Sequence, residues 1–350
     1  MSENCILISG GCGFIGSNLI DYLKDNSDDK IINIDKISYA SNEMINEKYK
    51  DDNYYFYKTD INNINELSKI FDEHKPDTIY HLAAESHVDR SIDGPKVFIN
   101  SNILGTFNLL DISLKYFNSL EKSKKNNFRF IMVSTDEVYG SIEKGERAKE
   151  INPYKPSSPY SASKASADNL AEAWFKTYNL PVITTNTTNN YGPLQFPEKL
   201  IPLTISKILN EQEIPIYGKG NQIRDWIHVS DHVKGLIYVR NNGKIGEKYN
   251  IGNECEKTNL EVVSDICSKI DIKLKSKRDS SNLITFVEDR PGHDFRYSLD
   301  NEKIKNLGWK PEIDWNRGIE NTIDWYINNN EWIKKILENN YKGERLGLDK

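Results

Sequence analysis

Two short runs, Ser134-Thr135-Asp136-Glu137-Val138-Tyr139-Gly140 and Tyr160-Ser161-Ala162-Ser163-Lys164, hold the side chains best suited to chemistry in this chain. Tyr160 and Lys164 are four apart in a helical pattern and so share a face. A phenol with a reference pKa of about 10 is a poor base at neutral pH. An ammonium beside it favours the phenolate and is expected to bring it toward the working range. Such a couple suits reversible oxidation of an alcohol. Thr135 adds a hydroxyl, and Asp136 and Glu137 add two neighbouring carboxyl groups. Like charges this close separate their titrations, so one group can stay protonated as an acid while the other acts as a base. Alone, an acidic pair after a strand reads as a solvated turn. With a hydroxyl before it and the Tyr–Lys couple after it, the pair suits removal of water from an oxidised sugar.

These groups lie downstream of Gly10-Gly11-Cys12-Gly13-Phe14-Ile15-Gly16, which satisfies both the GxxGxxG and GxGxxG patterns. Glycine at Gly10, Gly13 and Gly16 allows a tight turn, close approach of backbone to a pyrophosphate, and packing of helix on sheet. The helix amino terminus then presents N–H groups and a positive dipole end to phosphate. Asp35, about twenty residues on, is placed to accept hydrogen bonds from an adenosine ribose. A carboxylate there repels a 2′-phosphate, which predicts NAD rather than NADP. Asp60 and Ile61 fall where an adenine edge would lie.

The elements that must position these groups follow from the apolar pattern. Strands are predicted at Cys5–Ser9, Ile31–Asp35, Tyr54–Tyr57, Thr78–Leu82, Arg129–Ser134 and Val182–Thr185. Helices are predicted at Phe14–Lys24, Ile64–His74, Lys96–Tyr116 and Ser158–Tyr178. A polar loop is expected from Asp35 through Asn53 and a solvated one at Glu121–Asn127. Alternating strands and helices imply an α/β fold, a doubly wound parallel Rossmann-type sheet with ligand at the carboxyl ends of its strands. After Asn189, prolines at 193, 197, 202 and 215 interrupt shorter mixed elements. The expectation is therefore an NAD-binding domain over 1–188 and a smaller α+β, mainly substrate-binding domain over 189–350, with some segments returning to the first.

The 350 residues can bury a substantial core, and a net charge of −6 with mixed signs offers no nucleic-acid surface. No apolar run reads as a membrane span, and the first residues lead into a strand pattern rather than a signal peptide. Cys5, Cys12, Cys255 and Cys267 lack CxxC spacing and read as reduced thiols of a cytoplasmic protein. His81, His87 and His293 have no metal-binding spacing, so no metal is expected.

Beyond these groups, the chain resembles the dTDP-glucose 4,6-dehydratase family of extended short-chain dehydrogenases. The resemblance rests on Ile34-Asp35-Lys36, Leu82–Ser91 (LAAESHVDRS), 189–202 (NNYGPLQFPEKLIP), 215–226 (PIYGKGNQIRDW), 289–293 (DRPGH) and Gly343-Glu344-Arg345-Leu346-Gly347-Leu348. Departures are Ser9 for a usual threonine, Cys12 for alanine, and Phe295 for a commonly basic residue. The resemblance implies a homodimer, with Lys96–Tyr116 and Ser158–Tyr178 pairing across a two-fold axis. It also implies Tyr160 as base for the sugar O4 hydroxyl with Lys164 and Thr135 beside it, Asp136 as acid for the departing water and Glu137 as base at C5. NAD contacts implied are Gly10, Gly13, Phe14, Ile15, Gly16, Asp35, Lys36, Asp60, Ile61, Leu82, Ala83, Ala84, Ser86, Asn102, Tyr160, Lys164 and Asn190. Sugar-nucleotide contacts implied are Ser86, Thr135, Asn189, Lys199, Leu200, Pro215, Ile216, Tyr217, Arg224, Asn259, Asp289, Arg290, Pro291, Gly292 and His293. Lys199, Arg224 and Arg290 suit a diphosphate, and Tyr217 suits packing on the base.

Three alternatives compete. The same reaction on UDP-glucose differs only by a thymine methyl contact, worth about 1–3 kcal/mol. An epimerase has no use for Asp136 and Glu137, and a decarboxylase would want a further cation beside them. A catalytically idle NAD-binding scaffold would not need Asp136, Glu137, Tyr160 and Lys164 together.

Overall fold

The computed structural model describes residues 4–339. The terminal Gly343–Leu348 block lies outside the described residues. Six apolar runs of the first half form strands β1 (Cys5–Ser9), β2 (Lys30–Asp35), β3 (Tyr54–Lys58), β4 (Thr78–His81), β5 (Arg129–Thr135) and β6 (Val182–Thr187). The second half adds β7 (Asn189–Tyr191), β8 (Ile214–Tyr217), β9 (Ile223–His228), β10 (Lys248–Ile251), β11 (Glu256–Thr258) and β12 (Ile284–Val287). The central sheet has the order β10-β6-β5-β4-β1-β2-β3, and every pairing within it is parallel. Strand order reverses at β1 and β4, where the crevice for a ligand opens beyond the strand ends. The sheet is covered on both faces, so β1, β2, β4, β5 and β6 are buried at nearly every position rather than at alternate ones. One core contains Ile6, Ile8, Ile20, Ile131 and Val233, and the other contains Leu7, Ile32, Phe71, Leu109 and Phe130.

A third core, built from Ile201, Ile205, Ile216, Trp226, Ile266 and Ile319, supports two small sheets, β11-β9-β7 and β12-β8. The chain does not simply leave the large sheet after β6. Val229–Asn242 packs on it as a helix and β10 adds its edge strand.

Lys122–Asn127 is a short exposed helix, not a loop. Arg129 Nη1 donates to the Asn126 carbonyl at 2.8 Å and Lys125 Nζ to the Asn118 carbonyl at 3.1 Å, and these cationic ends satisfy terminal carbonyls that the polar sequence does not advertise. The stretch after β2 contains the helix Met44–Lys48, anchored by buried Ile45. The predicted Lys96–Tyr116 helix runs from Pro95 to Ser119 and loosens into π turns over Ile99–Leu104. By length and composition this helix is apolar enough to cross a membrane, contrary to the reading of the apolar runs, and 56% of its apolar window is buried. It packs against Ile64–His74, Val88–Asp93 and Pro159–Tyr178, which accounts for the buried part of its apolar character as helix packing.

Candidate active site

The carboxyl end of β5 delivers the chemistry. Thr135 ends the strand, and its Oγ1 accepts the Glu137 N–H at 3.3 Å, capping the single turn Asp136–Tyr139. The same hydroxyl donates to Asp136 Oδ1 at 3.3 Å. Asp136 is 3% exposed, and its Oδ2 has no hydrogen-bond partner among the described residues. Burial, reinforced by the neighbouring Glu137, pushes the Asp136 carboxyl up to about 8. Burial also raises Glu137, but Arg290, Arg224 and Lys199 oppose the rise. Two adjacent carboxyl groups thus have different surroundings: one is held protonated at neutral pH, and the other is drawn toward ionisation by three cations. No basic residue adjoins the pair in sequence, the ground for setting a decarboxylase aside, yet Lys199, Arg224 and Arg290 act on it from distant segments.

Tyr160 and Lys164 project from the helix Pro159–Tyr178. Ser158 begins it in a reciprocal capping box with Ser161, and Pro159 occupies its first turn. This fixed start sets the height of Tyr160 over the cleft, and the Tyr160 N–H is further tied to Ser91 Oγ at 3.2 Å. Lys164 Nζ donates to the Val133 carbonyl at 2.7 Å, and burial brings its ammonium down to about 8. The expected lowering of Tyr160 is not found. Burial raises its phenol, the charge of Glu137 adds to this, and the Thr135 hydroxyl beside it opposes. Lys164 spends its short hydrogen bond on a backbone carbonyl, so the low-dielectric surroundings dominate.

The nucleotide loop presents a cradle. The helix Phe14–Asn26 starts at Gly13 with no side-chain cap, leaving its first N–H groups open toward phosphate. Gly10 has φ +77° and would place a Cβ 2.6 Å from the Ala83 nitrogen. Asp35 Oδ2 accepts the Cys12 N–H at 3.0 Å and Oδ1 the Ile37 N–H at 2.8 Å. One cleft is lined by Gly10, Gly13, Phe14, Asp35, Lys36, Asp60, Ile61, Leu82, Ala83, Ala84 and Ser86. It continues into a second that adds Ile15, Gly16, Thr135, Asp136, Glu137, Tyr160, Lys164, Asn189 and Asn190. These donors and small residues fit a dinucleotide.

A third cleft adjoins Glu137 and is lined by Asn189, Asn190, Lys199, Leu200, Pro215, Ile216, Tyr217, Arg224, Asn259, Arg290 and His293. Lys199 Nζ donates to the Ser86 carbonyl at 2.8 Å. Arg224 is 5% exposed, lies 4.2 Å over the Tyr297 ring, and is held by the carbonyls of Ile223, Asp294 and Phe295. The unusual Phe295 therefore contributes its backbone here, while its side chain is exposed. Arg290 pairs with Asp89, whose other oxygen accepts from the Tyr217 hydroxyl at 3.1 Å.

Not every candidate lines a cleft. Asn102 stands behind the wall, exchanging hydrogen bonds with the Glu85 backbone at 2.8 and 3.0 Å and donating to Ser163 Oγ at 2.8 Å. Asp289 orients its neighbours, accepting from His293 Nδ1 at 2.6 Å and Gln222 at 2.7 Å. Pro291 and Gly292 form the turn between Arg290 and His293. Residues given no binding role beforehand also matter: His87, Asp89, Gln195, Glu198 and Tyr297 line the substrate-side cleft. Asp168, wholly buried, accepts from Ser134 and Tyr154 at 2.8 and 2.9 Å. Asp168 repeats the Tyr160–Lys164 spacing one turn later, a signal that was present in the sequence.

A doubly wound sheet carrying a dinucleotide cradle, a Tyr–Lys couple and an acid–base carboxyl pair defines a nucleotide-sugar dehydratase of the short-chain dehydrogenase type. Residues 7–322 match the family model described as GDP-mannose 4,6 dehydratase. A dTDP-glucose 4,6-dehydratase of Haemophilus influenzae is 50% identical over 331 residues, covering 93% of this chain and 98% of that one. The solved dTDP-glucose 4,6-dehydratase of Bacillus anthracis, in complex with NAD, is 42% identical with a TM-score of 0.84, over 95% of this chain and 99% of that one. The Streptomyces venezuelae enzyme of the same name, with NAD and TYD bound, is 38% identical with a TM-score of 0.86 over the same shares. The chain belongs to the dTDP-glucose 4,6-dehydratase family.

Proposed function

We propose that this protein converts dTDP-glucose to dTDP-4-keto-6-deoxyglucose and water, with NAD as a recycled cofactor. The observation that carries the reading is the pairing of a proton-holding Asp136 with a cation-facing Glu137, between the Tyr160–Lys164 couple and a basic cleft. Gly10, Gly13 through Gly16, Asp35, Lys36, Asp60, Ile61, Leu82 through Ala84 and Ser86 would hold NAD, with Asn102 bracing that loop from behind. Bound there, NAD would supply a hydride acceptor for the sugar C4, a hydride donor for C6, and a ring charge that favours the phenolate. Tyr160 takes the proton from the O4 hydroxyl, which Thr135 helps to hold, and Lys164 supplies positive charge nearby. The C4 ketone acidifies the C5 hydrogen, which Glu137 removes. Asp136 gives its proton to the C6 hydroxyl, so that water leaves, and a proton then returns to C5. Lys199, Arg224 and Arg290 face the diphosphate, and Tyr217, Asn259, Leu200 and Pro215 bound the base. Closure of so buried a site limits escape of the intermediate.

Incubation with dTDP-glucose should give the 4-keto sugar without added reductant, and a higher kcat/KM than UDP-glucose. A 4-epimer product, or equal efficiency on both nucleotides, would refute the assignment of reaction or of base. A homodimer is proposed from the exposed apolar side chains Val97, Ile99, Leu104 and Phe107 on the Pro95–Ser119 helix. A cytoplasmic location is proposed from four cysteines that remain free thiols.

A further inference from the structure

We infer that Glu198, Tyr39 and Arg90 form a clasp that keeps the dinucleotide in its cleft throughout the turnover. The inference rests on the proposed reaction, in which the cofactor is reduced midway and must be reoxidised before release; an enzyme that lost NADH at that point would stall.

Two segments distant in sequence face each other across the cofactor cleft. Ser38, Ala40 and Ser41 lie on the loop after Asp35, and Gln195, Phe196 and Glu198 lie on the segment after β7. Withdrawal of either segment would open the cleft. Glu198 joins them. Its Oε1 accepts from the Tyr39 hydroxyl at 2.8 Å, across 159 residues of sequence, and its Oε2 accepts from Arg90 Nε at 2.9 Å. The Arg90 guanidinium lies 3.9 Å over the Tyr39 ring, and that ring meets Phe196 edge-on at 5.3 Å. Glu198 is only 8% exposed, so its charge is shielded from solvent and both charge-assisted bonds are of the stronger kind. Burial and the Glu198 charge raise the Tyr39 phenol, keeping it a donor at physiological pH. On the same loop, Lys36 pairs with Glu85 at 2.7 Å, a second tie across this cleft. None of the three clasp residues carries a step in the proposed mechanism, although Glu198 also lines the substrate-side cleft; they act as positioning residues.

The test uses holoenzyme carrying Tyr39→Phe, which removes one hydroxyl, and Glu198→Gln, which keeps the side-chain shape but not the charge. Protein loaded with NADH is chased with excess NAD⁺, and release is followed by the loss of bound-NADH fluorescence. Both variants should release NADH about tenfold faster or more. Without added NAD⁺ they should lose activity progressively during turnover, and added NAD⁺ should restore it. Release at the wild-type rate, with only a lowered unfolding temperature, would overturn the clasp and leave an ordinary structural tie. Faster release from the variants would support the clasp even if wild-type holoenzyme formed no 4-keto product, an outcome that would count against the reaction alone.

Discussion

Asp136 shows how one residue trades stability for chemistry. Its carboxyl has a reference value of 3.8 and is pushed up to about 8 in the fold. Between those values the folded chain keeps a proton that the unfolded chain has released. Stability contributed by this site is therefore full below about pH 4 and falls as pH rises toward 8. Asp136→Asn should be inactive yet more stable than the parent at pH 8, by about 5 °C in Tm, with the gain vanishing near pH 4. Calorimetry at the two pH values checks the sign. The proposed mechanism needs that same proton, and the Lys164 ammonium is lost in the same region. Activity should therefore fall above about pH 8 more steeply than about tenfold per unit, because two groups titrate together. Glu137→Gln should retain sugar oxidation while slowing elimination about a hundredfold. Single-turnover absorbance would then show NADH accumulating; equal loss in both half-reactions would refute the role of Glu137.

At the scale of elements, the glycine loop makes a sharp prediction. Gly10 combines φ +77° with backbone contact to Ala83, so Gly10→Ala meets both strain and collision. Purified Gly10→Ala should carry little or no NAD, measured by absorbance after acid release, and its β1–β4 contact should be weakened. This loop, β1, Asp35 and the Tyr160–Lys164 helix were all readable from sequence, because each couples a local pattern to a local conformation. The capping of the Pro159–Tyr178 helix is written in Ser158 and Pro159 in the same way. What could not be read is what distant segments supply. The cations facing Glu137 come from residues 199, 224 and 290, and the partner of Arg290 is Asp89. No spacing rule connects these positions. The rise of the Tyr160 phenol was also hidden, since burial cannot be weighed against a neighbouring charge until the fold is in view.

For the whole molecule, the Pro95–Ser119 helix poses the clearest question. Its buried side presents Phe98, Leu109, Leu110 and Ile112, while Val97 at 52%, Ile99 at 54%, Leu104 at 48% and Phe107 at 39% remain exposed. Tyr178, at 48% exposure, stands at the end of the neighbouring helix, and Phe107 packs edge-on against Trp174 of that helix at 5.7 Å. Exposed apolar side chains are costly in water, and these are the ones proposed to meet a second copy. Covering it with the same face of a second copy satisfies both surfaces through one two-fold axis. The helix also carries Asn102, which braces Glu85 beside the cofactor cleft, so contact between copies would steady the wall of each active site. Leu104→Glu places a charge among these exposed side chains without touching the buried side. Under this proposal the parent sediments as a dimer and Leu104→Glu as a monomer, with the fold retained by circular dichroism and NAD held more weakly. An unchanged sedimentation coefficient would exclude this face as the subunit contact.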